Sequence, residues 1–398
     1  MAIAPEPIST AAEKNAWHGI YALSLVAFAM TTAEVLPMSM LPLLATGLDA
    51  SEGLVGQAIT ATAIAAIIFS LSIGRIVGHR DRRLVMIVFT AALVVSNVGV
   101  ALSPNVWTML LSRMILGATI GINWGLMPSV GLRIGPPGHV ARGLSIVVAG
   151  ASLSGLVSAP LASLLGNLLS WRVVYLAATA IAALAVLGLI RYLPSMPPQE
   201  ATRKVHIGET LRLPGLLAGM LGMMLAFGGS QTFYTYLVPY LEDVAHVEGG
   251  MISVILLVAG IAGLTGNFWA AKPLQKNLSR TFTMAVSMLA VTLACLLIFG
   301  KSFIICLPLI AAWAFFRNIV GVGGNAWVAQ TFPHHAEGAG GLLVTFIQGS
   351  MMLGAMLGGI LIDSVGPKGP PTAGLIILTF GAVYLSSALR PRSDLALT

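Results

Sequence analysis

The chain has 398 residues, of which 57% are hydrophobic and only 9% are charged, and its mean hydropathy is +0.91. A soluble protein of this length needs far more polar surface, so the composition excludes a water-soluble fold and predicts an integral membrane protein. The net charge of +7 comes without a basic patch that carries interleaved aromatic residues, which argues against a nucleic-acid partner.

Twelve apolar segments follow one another along the chain, each near the ~20 residues that cross about 30 Å of hydrocarbon as a helix. The first is longer than the core of a secretory signal and lacks a small-residue cleavage site at its end, so we expect it to be retained. The segments cover residues 17–46, 53–77, 84–102, 105–128, 143–166, 171–193, 214–240, 250–271, 281–299, 303–328, 341–363 and 371–389. The sequence therefore predicts an all-α integral membrane protein with twelve transmembrane helices.

The first segment contains Glu34, and the fourth contains Arg113. At about 1.5 Å per residue, Glu34 lies roughly 20 Å above the point where its helix enters hydrocarbon, and Arg113 roughly 12 Å below the opposite end of its own. The two depths nearly coincide in a core of roughly 30 Å. Because ionised groups are costly in hydrocarbon, the pair predicts a proton-coupling device, with a static ion pair between the two helices as the alternative.

Residues 194–213 are the longest polar interruption and divide the chain into halves of six segments, 1–193 and 214–398. Four motifs recur in the same order at an offset near 200 residues. One is Arg113-x-x-x-Gly117, which returns as Arg317-x-x-x-Gly321, and the same register places Glu34 opposite Gln231. The repeat predicts two parallel, pseudo-symmetric six-helix halves with a site at their interface.

Polar and aromatic side chains lie in the segments expected to line that interface. Amides read hydrogen-bonding edges and aromatic faces stack on planar rings, which suits a nucleoside or another planar polar solute; ordinary packing between helices is the alternative. Arg317 could bind an anionic or polar substrate or the carbonyls of a kinked neighbour. The candidate substrate-binding residues are Asn123, Trp124, Gln231, Tyr234, Arg317, Asn325 and Gln348. Asp363 lies near a segment end within easy reach of water, which argues against a functional role.

Positive residues lie mainly in alternate loops. With a cytoplasmic N-terminus, sixteen of the 21 lysines and arginines fall on the cytoplasmic side, whereas the opposite loops hold Asp49, Glu52, Glu242, Asp243 and Glu248. This distribution predicts that both termini are cytoplasmic. The sixteen are Lys14, Arg75, Arg80, Arg82, Arg83, Arg133, Arg142, Arg191, Arg203, Lys204, Arg212, Lys272, Lys276, Arg280, Arg390 and Arg392.

Three motifs resemble those of the major facilitator superfamily. The loop Gly74–Arg83 is similar to the loop between its second and third helices, although Gly78 stands where an aspartate is usual and Asp81 where a glycine is usual. Arg113-x-x-x-Gly117 resembles the helix-four motif, whose arginine is associated with proton coupling. Residues 150–166, with Pro160, resemble the helix-five antiporter motif. The resemblance implies the major facilitator fold and a gating role for Arg75, Asp81, Arg82, Arg83, Gly155 and Pro160.

Within that superfamily the chain is most similar to bacterial drug/proton antiporters, particularly purine ribonucleoside exporters and their sugar-efflux relatives. The similarity lies in 33–37, 51–57, 81–83, 159–166 and 171–172. It implies a proton-coupled exporter in the bacterial inner membrane, with a small polar organic substrate, protons and the lipid bilayer as its partners. Purine ribonucleoside export is the first expectation, and sugar or multidrug efflux is the alternative.

Other functional classes are less favoured by the sequence. The apolar segments contain no His, Asp and Glu cluster that would make an intramembrane enzyme, and no continuous polar stripe or soluble domain indicates a channel or sensor. His334 and His335 are adjacent rather than at helical spacing, so no metal site is expected. We expect a monomer without cofactor.

Overall fold

A computed structural model of the protein describes residues 10–78, 80–135, 139–197, 212–332 and 336–388. The regular elements in these ranges are all α-helices, and twelve of them are long and apolar enough to cross a membrane, which confirms the predicted class and number. The helices are α1 (Thr10–Ser39), α2 (Leu41–Gly47), α3 (Glu52–Leu71), α4 (Ile73–Val77), α5 (Arg82–Ala101), α6 (Val106–Ile134), α7 (Val140–Leu168), α8 (Trp171–Tyr192), α9 (Leu216–Tyr234), α10 (Leu237–Asp243), α11 (Gly249–Lys276), α12 (Leu278–Phe299), α13 (Phe303–Thr331), α14 (Ala336–Val365) and α15 (Gly369–Ala388). The short helices are α2, α4 and α10.

Three apolar segments that read as continuous are each broken into two helices. The second breaks at Ser72 between α3 and α4. The first and the seventh break close to a proline, at Met40 between α1 and α2 and after Tyr234 between α9 and α10. Pro42 and Pro239 lie in the first turns of α2 and α10. Because proline has no N–H and clashes with the carbonyl four residues earlier, a straight helix cannot run through either position. The breaks near these two prolines therefore occupy matching places in the repeat.

Five of the long helices begin at a side chain that caps their first turn. The oxygen atoms of Ser51, Asp81, Asn105, Ser170 and Asn277 accept backbone N–H groups at the beginnings of α3, α5, α6, α8 and α12. Such caps satisfy N–H groups that have no partner within the helix. Short polar residues between apolar segments thus set where these helices begin.

The packing partners of α1–α8 recur among α9–α15. In the first set α1 packs on α7 and α8, α3 on α6, and α5 on α6 and α8. In the second set α9 packs on α14 and α15, α11 on α13, and α12 on α13 and α15. The two sets meet where α3 packs on α14 and α7 packs on α11. This arrangement is the one that two six-helix repeats would produce. Within the polar interruption 194–213, residues 198–211 lie outside the described part of the chain.

The two ends of the helix bundle differ in charge. The acidic end comprises the loops around residues 48–51, 102–105, 169–170, 244–248, 300–302 and 366–368, with the carboxylates of Asp49, Glu52, Glu242, Asp243 and Asp363. The basic end comprises the loops around 78–81, 193–197 and 277, with most of the arginines.

Candidate functional site

A cluster of interacting side chains lies where α9, α13 and α1 meet. Gln231 of α9 is almost fully buried, and its Oε1 accepts a hydrogen bond of 3.2 Å from Nη2 of Arg317 on α13. Its Nε2 donates to Thr235 Oγ1 at 3.1 Å and contacts the sulfur of Met38 in α1 at 3.5 Å. The amide thus orients the guanidinium and faces α1. The sequence register that pairs Glu34 with Gln231 is consistent with this position.

Aromatic rings hold the same guanidinium from a second direction. The Arg317 guanidinium lies 4.1 Å from the ring centroid of Tyr234 and 5.8 Å from that of Trp313. Tyr234 and Trp313 are themselves stacked, with centroids 5.8 Å apart and an interplanar angle of 28°. Trp313 and Arg317 share a helix face because they are four residues apart. The cation–π contact and the hydrogen bond to the Gln231 amide together orient the guanidinium, and its Nε has no hydrogen-bond partner among the described residues.

Arg113 does not form the static ion pair that was the alternative interpretation of the sequence. The residue is fully buried in α6, and its Nη1 donates to the carbonyl of Ala33 in α1 at 2.6 Å. Its Nε and Nη2 have no hydrogen-bond partner among the described residues. The guanidinium therefore binds the backbone beside Glu34 rather than the carboxylate itself. Two of its donors stay available for Glu34 or for water.

Glu34 lies within Coulombic reach of both arginines. Arg113 and Arg317 each interact electrostatically with its carboxylate, although they come from helices 200 residues apart in sequence. The carboxylate is half-buried in α1. One acidic group thus faces two fixed guanidinium groups in a region where water is scarce, so its charge state governs the electrostatic potential of the site.

The helix that resembles the antiporter motif packs closely on both α1 and α11. Thr32 of α1 forms hydroxyl hydrogen bonds of 2.9 and 2.8 Å with Ser154 and Ser158 of α7. Pro160 is buried in α7 and cannot donate to the carbonyl of Leu156, and a Cβ on Gly260 of α11 would lie 3.0 Å from that carbonyl oxygen. Close backbone contact therefore forms where α7 meets α11.

Among the described residues, the remaining substrate candidates form no hydrogen bond with Arg317. Asn123 is fully buried and donates to Thr90 Oγ1 of α5 at 3.1 Å, and Trp124 packs on the apolar core of α1–α8. Asn325 is exposed and donates to the carbonyl of Gly321 in its own helix at 3.3 Å. Gln348 is mostly buried in α14. Of the seven candidates, the structure brings Gln231, Tyr234 and Arg317 together.

The candidate gating loop is tied to the chain segment that follows α8. Asp81 accepts hydrogen bonds from Ser195 Oγ at 2.5 Å, from the Met196 N–H at 2.9 Å and from the Arg83 N–H at 2.8 Å. The Arg82 N–H donates to the Met196 carbonyl, and Arg83 Nη2 donates to the carbonyl of Ile190. Asp81 therefore joins the beginning of α5 to the exit of α8.

The other gating candidates differ in their surroundings. Gly78 has φ +33°, a conformation that L side chains rarely adopt and that glycine permits. Arg75 is exposed, and a Cβ on Gly155 would meet open space. Gly155 therefore does not serve close packing.

Exchanging Asp81 for alanine should release Met196, because alanine has no oxygen that can accept the Met196 N–H. Partial burial raises the pKa of Asp81, but the bonds from Ser195, Met196 and Arg83 outweigh it and leave the pKa below its ordinary value. The contact is therefore complete above about pH 3.9 and is lost only as pH falls through the lower folded-state pKa. Hydrogen exchange at the Met196 amide, corrected for intrinsic rates, should be flat from pH 5 to 8 in the native protein and faster in the variant.

Arg80→Gln is the matched control for this experiment, because the Arg80 guanidinium donates to the carbonyl of Ile76 in the preceding turn and, among the described residues, makes no bond to Met196. It should leave exchange at Met196 unchanged. Transport by the Asp81→Ala variant should have a lower maximal rate and a similar apparent substrate affinity. A large loss of affinity with a normal maximal rate would contradict a gating role.

Sequence reasoning missed several residues of the site. Trp313 underlies Tyr234, Met38 contacts Gln231, and Tyr175 of α8 interacts electrostatically with Arg113. The spacing of Trp313 and Arg317 was the available signal for the first. No sequence pattern indicated Tyr175 or Met38, because their contacts depend on how separate helices are rotated against one another.

Comparison with known proteins gives consistent results. Residues 23–300 match the family model described as Major Facilitator Superfamily. A protein named transcription regulatory protein OpdE from Pseudomonas aeruginosa is 34% identical over 360 residues, covering 89% of each chain. The purine ribonucleoside efflux pump NepI of Salmonella paratyphi C is 30% identical over 379 residues, covering 95% of this chain and 96% of the relative.

A solved structure shares the fold. A bacterial homologue of the human lysosomal transporter Spinster, in an inward-facing and unoccupied conformation, aligns with a TM-score of 0.78 over 94% of this chain and 97% of its own. Its sequence identity is 15%. The twelve-helix arrangement is therefore retained at low sequence similarity.

Proposed function

The chain belongs to the major facilitator superfamily, and from this premise we propose that it is a proton-coupled transporter that exports purine ribonucleosides by alternating access. It is a multi-pass membrane transporter of a small molecule and not an enzyme, as its family and twelve apolar helices establish. The direction of transport, the coupling ion and the substrate are the parts that we propose.

The observation that carries the proposal is the position of Glu34 between two arginines. Arg113 is bound to the backbone of α1 and Arg317 to Gln231, so neither guanidinium is neutralised by a direct ion pair. When Glu34 is ionised, it attracts both groups; when it is protonated, both lose that attraction. Proton binding and substrate binding thus act on the same arginines, and this shared dependence is what obligatory exchange requires.

The nucleoside assignment rests on the groups around Arg317. Tyr234 offers an aromatic ring, and Arg317, which Gln231 holds in place, offers N–H donors; together they suit a planar base that carries polar edges. NepI, named as a purine ribonucleoside efflux pump, is similar over nearly the whole chain. We therefore place the base near Tyr234 and Arg317, with Asn123, Trp124 and Gln348 as further candidates for other parts of the substrate.

The proposed orientation of the protein in the membrane follows from the different charges of its two ends. We propose that the basic end faces the cytoplasm of a bacterial cell, with both termini on that side, and that the acidic end faces outward. The halves 1–193 and 214–398, joined by the linker 194–213, would then rock about a site at their interface. All proposed site residues come from one chain, so a monomer suffices.

A second candidate substrate class follows from the charge balance of the site. Two guanidinium groups face one carboxylate, and this excess positive charge favours a solute with an anionic group. By contrast, no observation favours a role in transcription, which the name of the relative OpdE indicates for that protein. The described part of the chain consists mainly of apolar helices of a length that crosses a membrane.

The test is transport by the purified protein in liposomes that carry a pH gradient. Adenosine and inosine should move against their gradients and dissipate the pH gradient, whereas adenosine monophosphate, arabinose and ethidium should not. Uptake of adenosine monophosphate alone would favour the anionic class. Transport of arabinose or ethidium but not of nucleosides would overturn the nucleoside proposal and support the sugar or multidrug alternative.

A further inference from the structure

A carboxylate that has no part in the proposed site joins α3 to α14 at the acidic end. Asp363, in the last turn of α14, accepts a hydrogen bond of 2.6 Å from Ser51 Oγ and one of 3.0 Å from the Gly53 N–H. Ser51 is the N-cap of α3, and its Oγ also accepts the Leu54 N–H at 3.1 Å. Asp363 therefore satisfies donors at the beginning of a helix that belongs to the other six-helix set, where negative charge is favoured.

The backbones of the two helices touch beneath this bond. A Cβ on Gly359 of α14 would lie 2.8 Å from the Gly53 carbonyl oxygen and 2.7 Å from the hydroxyl of Tyr236. That hydroxyl donates to the Ala355 carbonyl at 2.9 Å. Glycine at both contact positions lets α3 and α14 approach closely, so the acidic end of their junction is sealed in this structure.

Like charges oppose the seal. Glu52 of α3 is repelled by Asp363 and by Glu242 and Asp243 of α10. These repulsions act over longer distances than the two hydrogen bonds, and solvent screens them. Ser51 and Asp363 are exposed, so water can take over both bonds when the helices separate. The contact is therefore specific but reversible, as a contact that breaks in every transport cycle must be.

We infer that Asp363 is a positioning residue for alternating access, which holds the acidic-end mouth of the transport path closed by capping α3. The sequence placed Asp363 within reach of water and argued against a role for it; the structure gives it two partners more than 300 residues away. When α14 moves from α3, both bonds pass to water and the acidic end opens. This inference does not depend on the identity of the substrate.

The test measures the width of both ends by spin-label distances in protein with Cys295 and Cys306 replaced by alanine. Labels at Trp107 of α6 and Ile304 of α13 report the acidic end, and labels at Leu132 of α6 and Lys276 of α11 report the basic end. All four positions are exposed. Asp363→Ala and Ser51→Ala should each raise the ratio of long to short acidic-end distances by roughly threefold or more, because charge-assisted hydrogen bonds are lost. The basic-end distances should shorten in the same samples.

Two variants complete the design. Ser364→Ala is the matched control, since Ser364 is adjacent and exposed but bonds only within α14, and it should leave both distributions unchanged. Ser51→Thr retains the hydroxyl and should restore the short distances lost in Ser51→Ala. Unchanged acidic-end distances in Asp363→Ala and Ser51→Ala would overturn the inference. Equal broadening of the distance distributions at both ends would also overturn the inference. It would show that the variant loosens the whole protein, whereas the inference requires the acidic end to open while the basic end closes.

Discussion

Glu34→Gln is expected to abolish proton-driven transport while leaving the exchange of labelled for unlabelled substrate across the membrane intact. The amide keeps the size of the side chain and its packing in α1, but it cannot bind or release a proton. Arg113 keeps its bond to the Ala33 carbonyl and Arg317 keeps its bond to Gln231, since neither depends on the carboxylate. Folding and membrane insertion should therefore be normal.

The measurement is substrate-driven proton movement in liposomes, beside substrate exchange at equal internal and external pH. Glu248→Gln is a suitable control, because it removes an exposed carboxylate at the beginning of α11 and should couple normally. A Glu34→Gln protein that still accumulates substrate against its gradient at the native rate would rule out Glu34 as the coupling group. Loss of exchange as well as coupling would instead assign Glu34 to substrate binding.

Arg317→Lys is expected to weaken the apparent affinity for substrate by roughly tenfold or more, although the positive charge is retained. A lysine cannot reproduce the planar contacts that the guanidinium makes with Tyr234 and Gln231. Cation–π contact contributes about 0.5–2 kcal/mol and a hydrogen bond to a charged group about 1.5–3 kcal/mol, and each 1.4 kcal/mol is a factor of ten.

The dependence of transport on adenosine concentration provides the measurement for Arg317→Lys. Asn325→Ala is the informative comparison, because this amide lies two turns along the same helix and bonds only to Gly321. Sequence reasoning gives both residues a binding role, whereas the geometry predicts a large change for Arg317 and less than about a twofold change for Asn325. Equal losses in the two variants would move the binding site along α13 toward the basic end.

The sequence predicted the depth of the two proposed coupling residues but not the contacts that they make. Depth along the helices placed Glu34 and Arg113 at one level, and the structure has Arg113 bound to the residue next to Glu34. The same calculation could not show that Arg317 also reaches Glu34, since this requires the packing of two separate helix sets. Similarly, Asn123 follows Arg113 in α6 but turns toward Thr90 of α5. The sequence therefore predicted the depth of a residue along its helix, but not the direction in which its side chain points around the helix axis.

The sequence by itself determined the membrane class, the number of spanning helices and the charge difference between the two ends. Hydrocarbon offers no partner to backbone N–H and C=O groups, so each long apolar segment has to form a helix whatever its neighbours are. The tertiary structure decided which side chains meet. Phe268 is 77% exposed and Phe282 is fully buried, yet both lie in similar apolar surroundings in the sequence. Because lipid and protein interior are equally apolar, hydrophobic periodicity cannot tell one helix face from the other, and the partners of Gln231, Arg317 and Asp363 follow only from packing.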